Sequence, residues 1–166
     1  MARRGLVLPK EVIYISRDYA QGLHTAENLI SIRSPKEEKM RLFGFEMDLT
    51  KDVCVIKDDE DDGGRETTVT HVSVRSDSMY AVEEKAANAI VKAAVEANGE
   101  GIVVNCHYGL VRSFTVATWI RDRLDYVLSK MHWAEPEQRC TKDSGLYRAL
   151  DEAFKRNYPH LVKEQA

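Results

Sequence analysis

Cys106 and Arg112 are separated by five residues in the stretch VVNCHYGLVRSF, Val103 to Phe114. The apolar run Ile102-Val103-Val104 leads into Asn105 and Cys106, and Arg112-Ser113 opens a helical pattern. A loop that feeds a helix N-terminus presents backbone N–H groups with no intrahelical partner, at the positive end of the helix dipole. Such groups can hold an anion. Gly109 gives the loop conformational freedom, and the planar fork of Arg112 matches two oxygens of a phosphate. The same surroundings favour a thiolate over a thiol, and the thiolate is the nucleophile. The spacing therefore predicts a nucleophile facing an electrophilic phosphorus. The plainer alternative is that Cys106 is a small buried hydrophobe and Arg112 a surface residue.

Positioning such a loop requires a strand before it and a helix after it. Ile102 to Asn105 reads as a short apolar strand, and Phe114, Ala117, Ile120, Leu124 and Val127 form the stripe of the following helix. Upstream, Met79 to Ala97 has Val82, Ala86, Ile90, Ala93 and Ala97 at spacings of three and four, with Asn98-Gly99 as a stop signal. A last helix is expected over Ser144 to Asn157, ending before Pro159. Val12 to Ile15, Leu29 to Ile32 and the β-branched run Thr67 to Val74 read as strands, with further extended pieces at Gly44 to Leu49 and Val53 to Ile56. Short helical pieces are expected at His24 to Asn28 and Lys36 to Leu42. Strands alternating with helices imply an α/β fold, a mostly parallel central sheet flanked by helices, in one domain spanning residues 1–166. In such sheets ligands bind beyond the carboxyl ends of the strands, where Cys106 stands.

The bulk composition narrows the function classes. With 24 basic and 27 acidic residues the formal charge is −3, so no basic field points to nucleic acid or an anionic membrane. The five carboxylates from Asp58 to Asp62 read first as a solvated loop. Three cysteines, Cys54, Cys106 and Cys140, match no zinc spacing and suit a reducing cytoplasm better than a disulfide scaffold. The start MARRGLVLPKEV has an apolar run too short for a signal peptide or membrane span, so a soluble cytoplasmic protein is expected. Trp119, Trp133 and Tyr80 are expected in the core. Nothing in the sequence sets an oligomeric state.

The strand followed by Cys106-x5-Arg112-Ser113 resembles the signature loop of the cysteine-dependent protein tyrosine phosphatases. The chain length is similar to that of the compact dual-specificity branch. The stretches ENLISIRSP and GLYRALDEAF resemble small phosphatase-like proteins of bacteria and their phages. Two positions depart from the family pattern: Asn105 stands where members usually have His, and Val111 where they often have Gly or Ser. The resemblance implies hydrolysis of a phosphomonoester through a cysteinyl-phosphate, without metal or other cofactor. Cys106 would attack phosphorus, and Arg112 with the loop residues His107, Tyr108, Gly109, Leu110 and Val111 would bind the phosphoryl oxygens. Ser113 would hydrogen-bond the sulfur, although a serine there also suits capping of the helix. Phosphoinositide phosphatases of this superfamily carry several basic residues in the loop, whereas this loop has only His107. The implied substrate is therefore phosphotyrosine in proteins or peptides, with phosphoserine and phosphothreonine as further possibilities.

The same resemblance calls for a carboxylic acid about thirty residues before the cysteine. Asp77 lies 29 residues upstream (106 − 77) and just before the helix from Met79. Ser76-Asp77-Ser78 is equally a helix-capping cluster, and Asp48, Asp52 and the run Asp58 to Asp62 are alternatives for the acid. Two other functions fit a cysteine loop at a strand end: a rhodanese-like sulfurtransferase, and a phosphate-binding module that captures a phosphorylated partner without turnover.

Overall fold

The computed structural model describes residues 8–16, 28–33, 41–42, 45–46, 53–58, 67–73, 84–106, 111–130 and 142–162. Among the described residues there are eight strands: β1 (Glu11–Ser16), β2 (Asn28–Arg33), β3 (Arg41–Leu42), β4 (Phe45–Glu46), β5 (Val53–Asp58), β6 (Thr67–Ser73), β7 (Ile102–Cys106) and β8 (Val127–Lys130). Three α-helices accompany them among the described residues: α1 (Glu84–Glu96), α2 (Arg112–Leu124) and α3 (Ser144–Asn157). A short 3-10 turn, Pro159–Leu161, follows α3.

Six strands form one sheet in the order β5-β6-β2-β7-β1-β8. All neighbours from β6 to β8 run parallel, and β5 is an antiparallel strand against β6. The protein is thus an α/β fold on a five-strand parallel sheet, with β7 in the middle. β3 and β4 pair separately and antiparallel.

Alternation along the strands sorts side chains onto two faces. Val12, Tyr14, Ile30, Ile32, Val72, Ile102 and Val104 join Cys106 in one cluster with the apolar stripes of all three helices. The opposite face, with Ile13, Ile15, Leu29, Val69 and Val103, is equally buried. Burial on both faces is why the central strands read as continuous apolar runs. Helix α1 buries Ala86, Ala87, Ile90, Val91 and Ala94, and its small side chains leave room near the sheet edge. It stops where expected, with Asn98 at φ 48 and Gly99 at φ 90 carrying the chain through left-handed backbone.

Helix α3 locks onto α2 through Leu146, Leu150 and Phe154. Trp119 is fully buried in this seam and meets Phe154 edge to face at 5.4 Å, a contact worth about 0.5–1.5 kcal/mol beyond its area. Its indole N–H donates to Asp151 Oδ1 at 2.9 Å. Asp151 also accepts a two-pronged bond from Arg123, at 2.8 and 2.9 Å.

Three expectations are corrected. Val127 does not continue the α2 stripe: it opens β8 and is 63% exposed. Asp125 takes φ 58, which ends α2, and the Tyr126 hydroxyl is pinned by donating to Glu100 O at 2.8 Å and accepting from Gly99 N–H at 3.1 Å. The Val127 N–H then donates to Lys10 O at 2.8 Å, so the chain enters the sheet beside β1. Arg41 and Leu42 are extended rather than helical, because they pair antiparallel with Glu46 and Phe45. Asn28 likewise begins β2 instead of ending a helical piece, and residues 24–27 lie outside the described residues, as do residues 36–40 and 79–83, Tyr80 and Trp133.

Candidate active site

Strand β7 is buried over all five residues and ends on Cys106, whose register partner on β1 is Ser16. Cys106 is in no disulfide and is 3% exposed. It donates to Ser113 Oγ at 3.3 Å. Once the proton is gone, the same geometry lets the Ser113 hydroxyl donate to the sulfur.

Each residue in the first turn of α2 is held by a different contact. Arg112 is the first helical residue and only 7% exposed. Ser113 faces the thiol. Phe114 meets Tyr14 of β1 edge to face at 5.3 Å, which seats the turn on the sheet. Thr115 is fully buried and donates its hydroxyl to Val111 O at 2.6 Å, beside its own N–H at 2.8 Å.

The electrostatics of this turn do not serve helix stability. The N-cap residue Val111 supplies no side-chain acceptor, and the first turn has no acidic residue. A cation at the positive end of a 13-residue helix is unfavourable by the dipole rule. An anion bound among these groups would offset that term. The capping role open to Ser113 is not the one observed: the N-cap is Val111, and the Ser113 hydroxyl points to sulfur.

On the opposite face, Asn105 stands level with Ser31 of β2, which stands level with His71 of β6. All three are fully buried. This polar row crosses the sheet one residue before the thiol.

The carboxylates considered for an acid divide by position. Asp58 pairs with Thr67 at the amino end of β6, whereas Cys106 ends β7 at the carboxyl edge. Five residues of strand rise and three strand spacings separate their backbones, roughly 20 Å. Asp58 is therefore not brought to the thiol. Asp48, Asp52, Asp77 and the run 59–62 lie outside the described residues, as do the loop residues His107, Tyr108, Gly109 and Leu110. A cavity of about 520 Å³ lies between α1 and the β5–β6 edge, lined by Asn28, Val53, Thr68, Thr70, Lys92 and Glu100 among others.

Sequence reasoning missed the partner of Thr115. Its hydroxyl also accepts the N–H of Asp143 at 2.8 Å, and Asp143 caps α3 by accepting from Gly145 and Leu146 N–H at 3.0 and 3.1 Å. An aspartate directly before Ser144 is a recognisable N-cap signal. Its contact with α2 carries no local signature. Among the described residues no group of three or more metal-ligating side chains converges, and no helix is long and apolar enough to cross a membrane. No protein-family model and no curated protein sequence matches the chain.

Proposed function

We propose that the protein is a cysteine-dependent phosphatase that hydrolyses phosphotyrosine in proteins or peptides, with phosphoserine and phosphothreonine as further substrates, in the reducing cytoplasm. One observation carries this reading: a buried thiol at the end of β7 lies 3.3 Å from a hydroxyl in the first turn of a helix that opens on a buried arginine and whose N-cap residue, Val111, makes no side-chain cap. The Cys106 thiolate attacks phosphorus, the ester P–O bond breaks, and the departing oxygen takes a proton from a carboxylic acid. Arg112 and the amides at the start of α2 stabilise the equatorial oxygens. In the second step water attacks phosphorus, the carboxylate takes its proton, and the S–P bond breaks. Ser113 donates to the leaving sulfur.

Asp77 is the acid this reading favours. β6 ends at Ser73, on the same sheet edge as Cys106 and two strands away. Two strand spacings are about 10 Å. The four residues from Ser73 to Asp77 span at most about 14 Å, so the segment is long enough to reach the thiol.

The test is hydrolysis of p-nitrophenyl phosphate with orthovanadate as inhibitor, comparing the parent chain with Cys106→Ser. Its good leaving group needs little help from the acid, so the assay isolates thiol and cradle. Vanadate-sensitive turnover lost in the variant supports the proposal. A reduced, folded protein that binds a phosphotyrosine peptide and leaves it intact would make it a binding module. Sulfur transfer from thiosulfate would make it a sulfurtransferase.

A further inference from the structure

We infer that Thr115 is a positioning residue for the phosphate cradle, tying the end of the loop to the segment that enters α3. This rests on the phosphatase reading above. The Val111 carbonyl already receives the ordinary helical N–H of Thr115 at 2.8 Å. The second bond from the hydroxyl, at 2.6 Å, adds nothing that the helix needs, since threonine hydroxyls bonded back to the preceding turn tend to strain it slightly. What it adds is direction. Val111 stands at φ −123, ψ −71 with no side-chain cap, and the Thr115 hydroxyl fixes the carbonyl of the peptide that delivers Arg112.

The hydroxyl's acceptor side is taken by the Asp143 N–H at 2.8 Å. One buried hydroxyl thus uses its proton on the loop and a lone pair on the N-cap of α3, 28 residues away in sequence. The Asp143 side chain in turn is fixed by the first amides of α3. Helix α3 is itself locked to α2 through Trp119 and Arg123 on Asp151, so the chain of contacts returns to the helix that carries Arg112. The loop end is held from two sides, and Thr115 is the joint.

The experiment compares Thr115→Val, Thr115→Ala and Thr115→Ser in the full chain. It reads KM and kcat for p-nitrophenyl phosphate, the inhibition constant of orthovanadate, and Tm. Valine keeps the shape and loses the hydroxyl; serine keeps the hydroxyl. In the valine and alanine variants KM and the vanadate constant should both rise roughly 10-fold, because a displaced guanidinium binds the anion poorly. Serine should restore both. A purely structural threonine would lower Tm and leave KM and the vanadate constant unchanged, and that result overturns the inference. So does a set in which only the serine variant folds, since the hydroxyl then serves the fold. A parent chain that neither turns over phosphate ester nor binds vanadate removes the phosphatase reading and this inference together. An active parent with an unaffected, folded valine variant removes only the inference.

Discussion

The Cys106 sulfur and the Ser113 oxygen lie 3.3 Å apart across the junction of β7 and α2. A hydroxyl there does little for the attack on phosphorus and much for the departure of sulfur, because it stabilises the charge that returns to the thiolate. Ser113→Ala should therefore slow breakdown of the cysteinyl-phosphate more than its formation. The expected drop in kcat for p-nitrophenyl phosphate is about 10²-fold, the order found when one charge-stabilising donor is removed. Rapid mixing should show a burst of p-nitrophenolate that the parent chain lacks. Equal slowing of burst and steady state would place Ser113 outside the second step.

Arg112 is buried at the helix start, where only a planar donor array can meet two phosphoryl oxygens at once. Lysine keeps the charge and loses the fork. Arg112→Lys should lower kcat/KM by roughly 10²–10³-fold, with Tm close to that of the parent. A variant within threefold of the parent would mean that charge alone suffices.

Position separates two candidate acids. Asp58 stands at the sheet edge opposite the thiol, while Asp77 follows a strand that ends on the thiol's own edge. On a phosphotyrosine peptide, whose leaving group needs a proton, Asp77→Asn should reduce kcat by about 10²–10⁴-fold and Asp58→Asn should leave it unchanged. On p-nitrophenyl phosphate the Asp77 variant should lose far less. An unchanged rate for Asp77→Asn on the peptide would move the role to the rest of the acidic run, residues 59–62, or to Asp48 or Asp52, of which Asp52 directly precedes β5, whose first residue pairs with Val72 near the same edge.

The α/β class, the end of α1 at Asn98-Gly99, the span of α3 and the strand-thiol-helix junction were all legible in the sequence, because each rests on local periodicity or a local stop signal. The end of α2 was not. Asp125 and Tyr126 look like helix continuation, and what ends the helix is the docking of Tyr126 on Gly99 and Glu100, 27 and 26 residues earlier in the chain. Strand β8 was invisible for the same reason, since it is short, opens on an exposed valine and exists through its pairing with β1. At the site, residue types and spacing singled out Cys106 and Arg112, the resemblance implied a bond from Ser113 to the sulfur with helix capping as its alternative, and the fold shows the first of the two. Thr115 and Asp143 belong together through tertiary packing, which leaves no pattern in either segment.

Asp151 joins α2 to α3 by accepting from both Trp119 and Arg123. Burial alone would raise its carboxyl pKa, but the hydrogen bonds from Arg123 and then from Trp119, with the positive charges of Arg123 and Lys155, outweigh it and hold the group below the usual carboxylate range. A group whose pKa is depressed on folding stabilises the protein fully above its unfolded value and loses that contribution as pH falls through the folded value. The Asp151 contribution should therefore be complete at pH 6 and fade on acidification below about 4, the ordinary aspartate range. Asp151→Asn should cost roughly 1.5–3 kcal/mol at pH 7, the size expected for hydrogen bonds to a charged group. The difference in unfolding free energy between parent and variant, followed by urea denaturation from pH 7 to pH 3, should shrink steadily toward the acid end. A constant difference across that range would show that shape and packing at Asp151, rather than its charge, hold the two helices together.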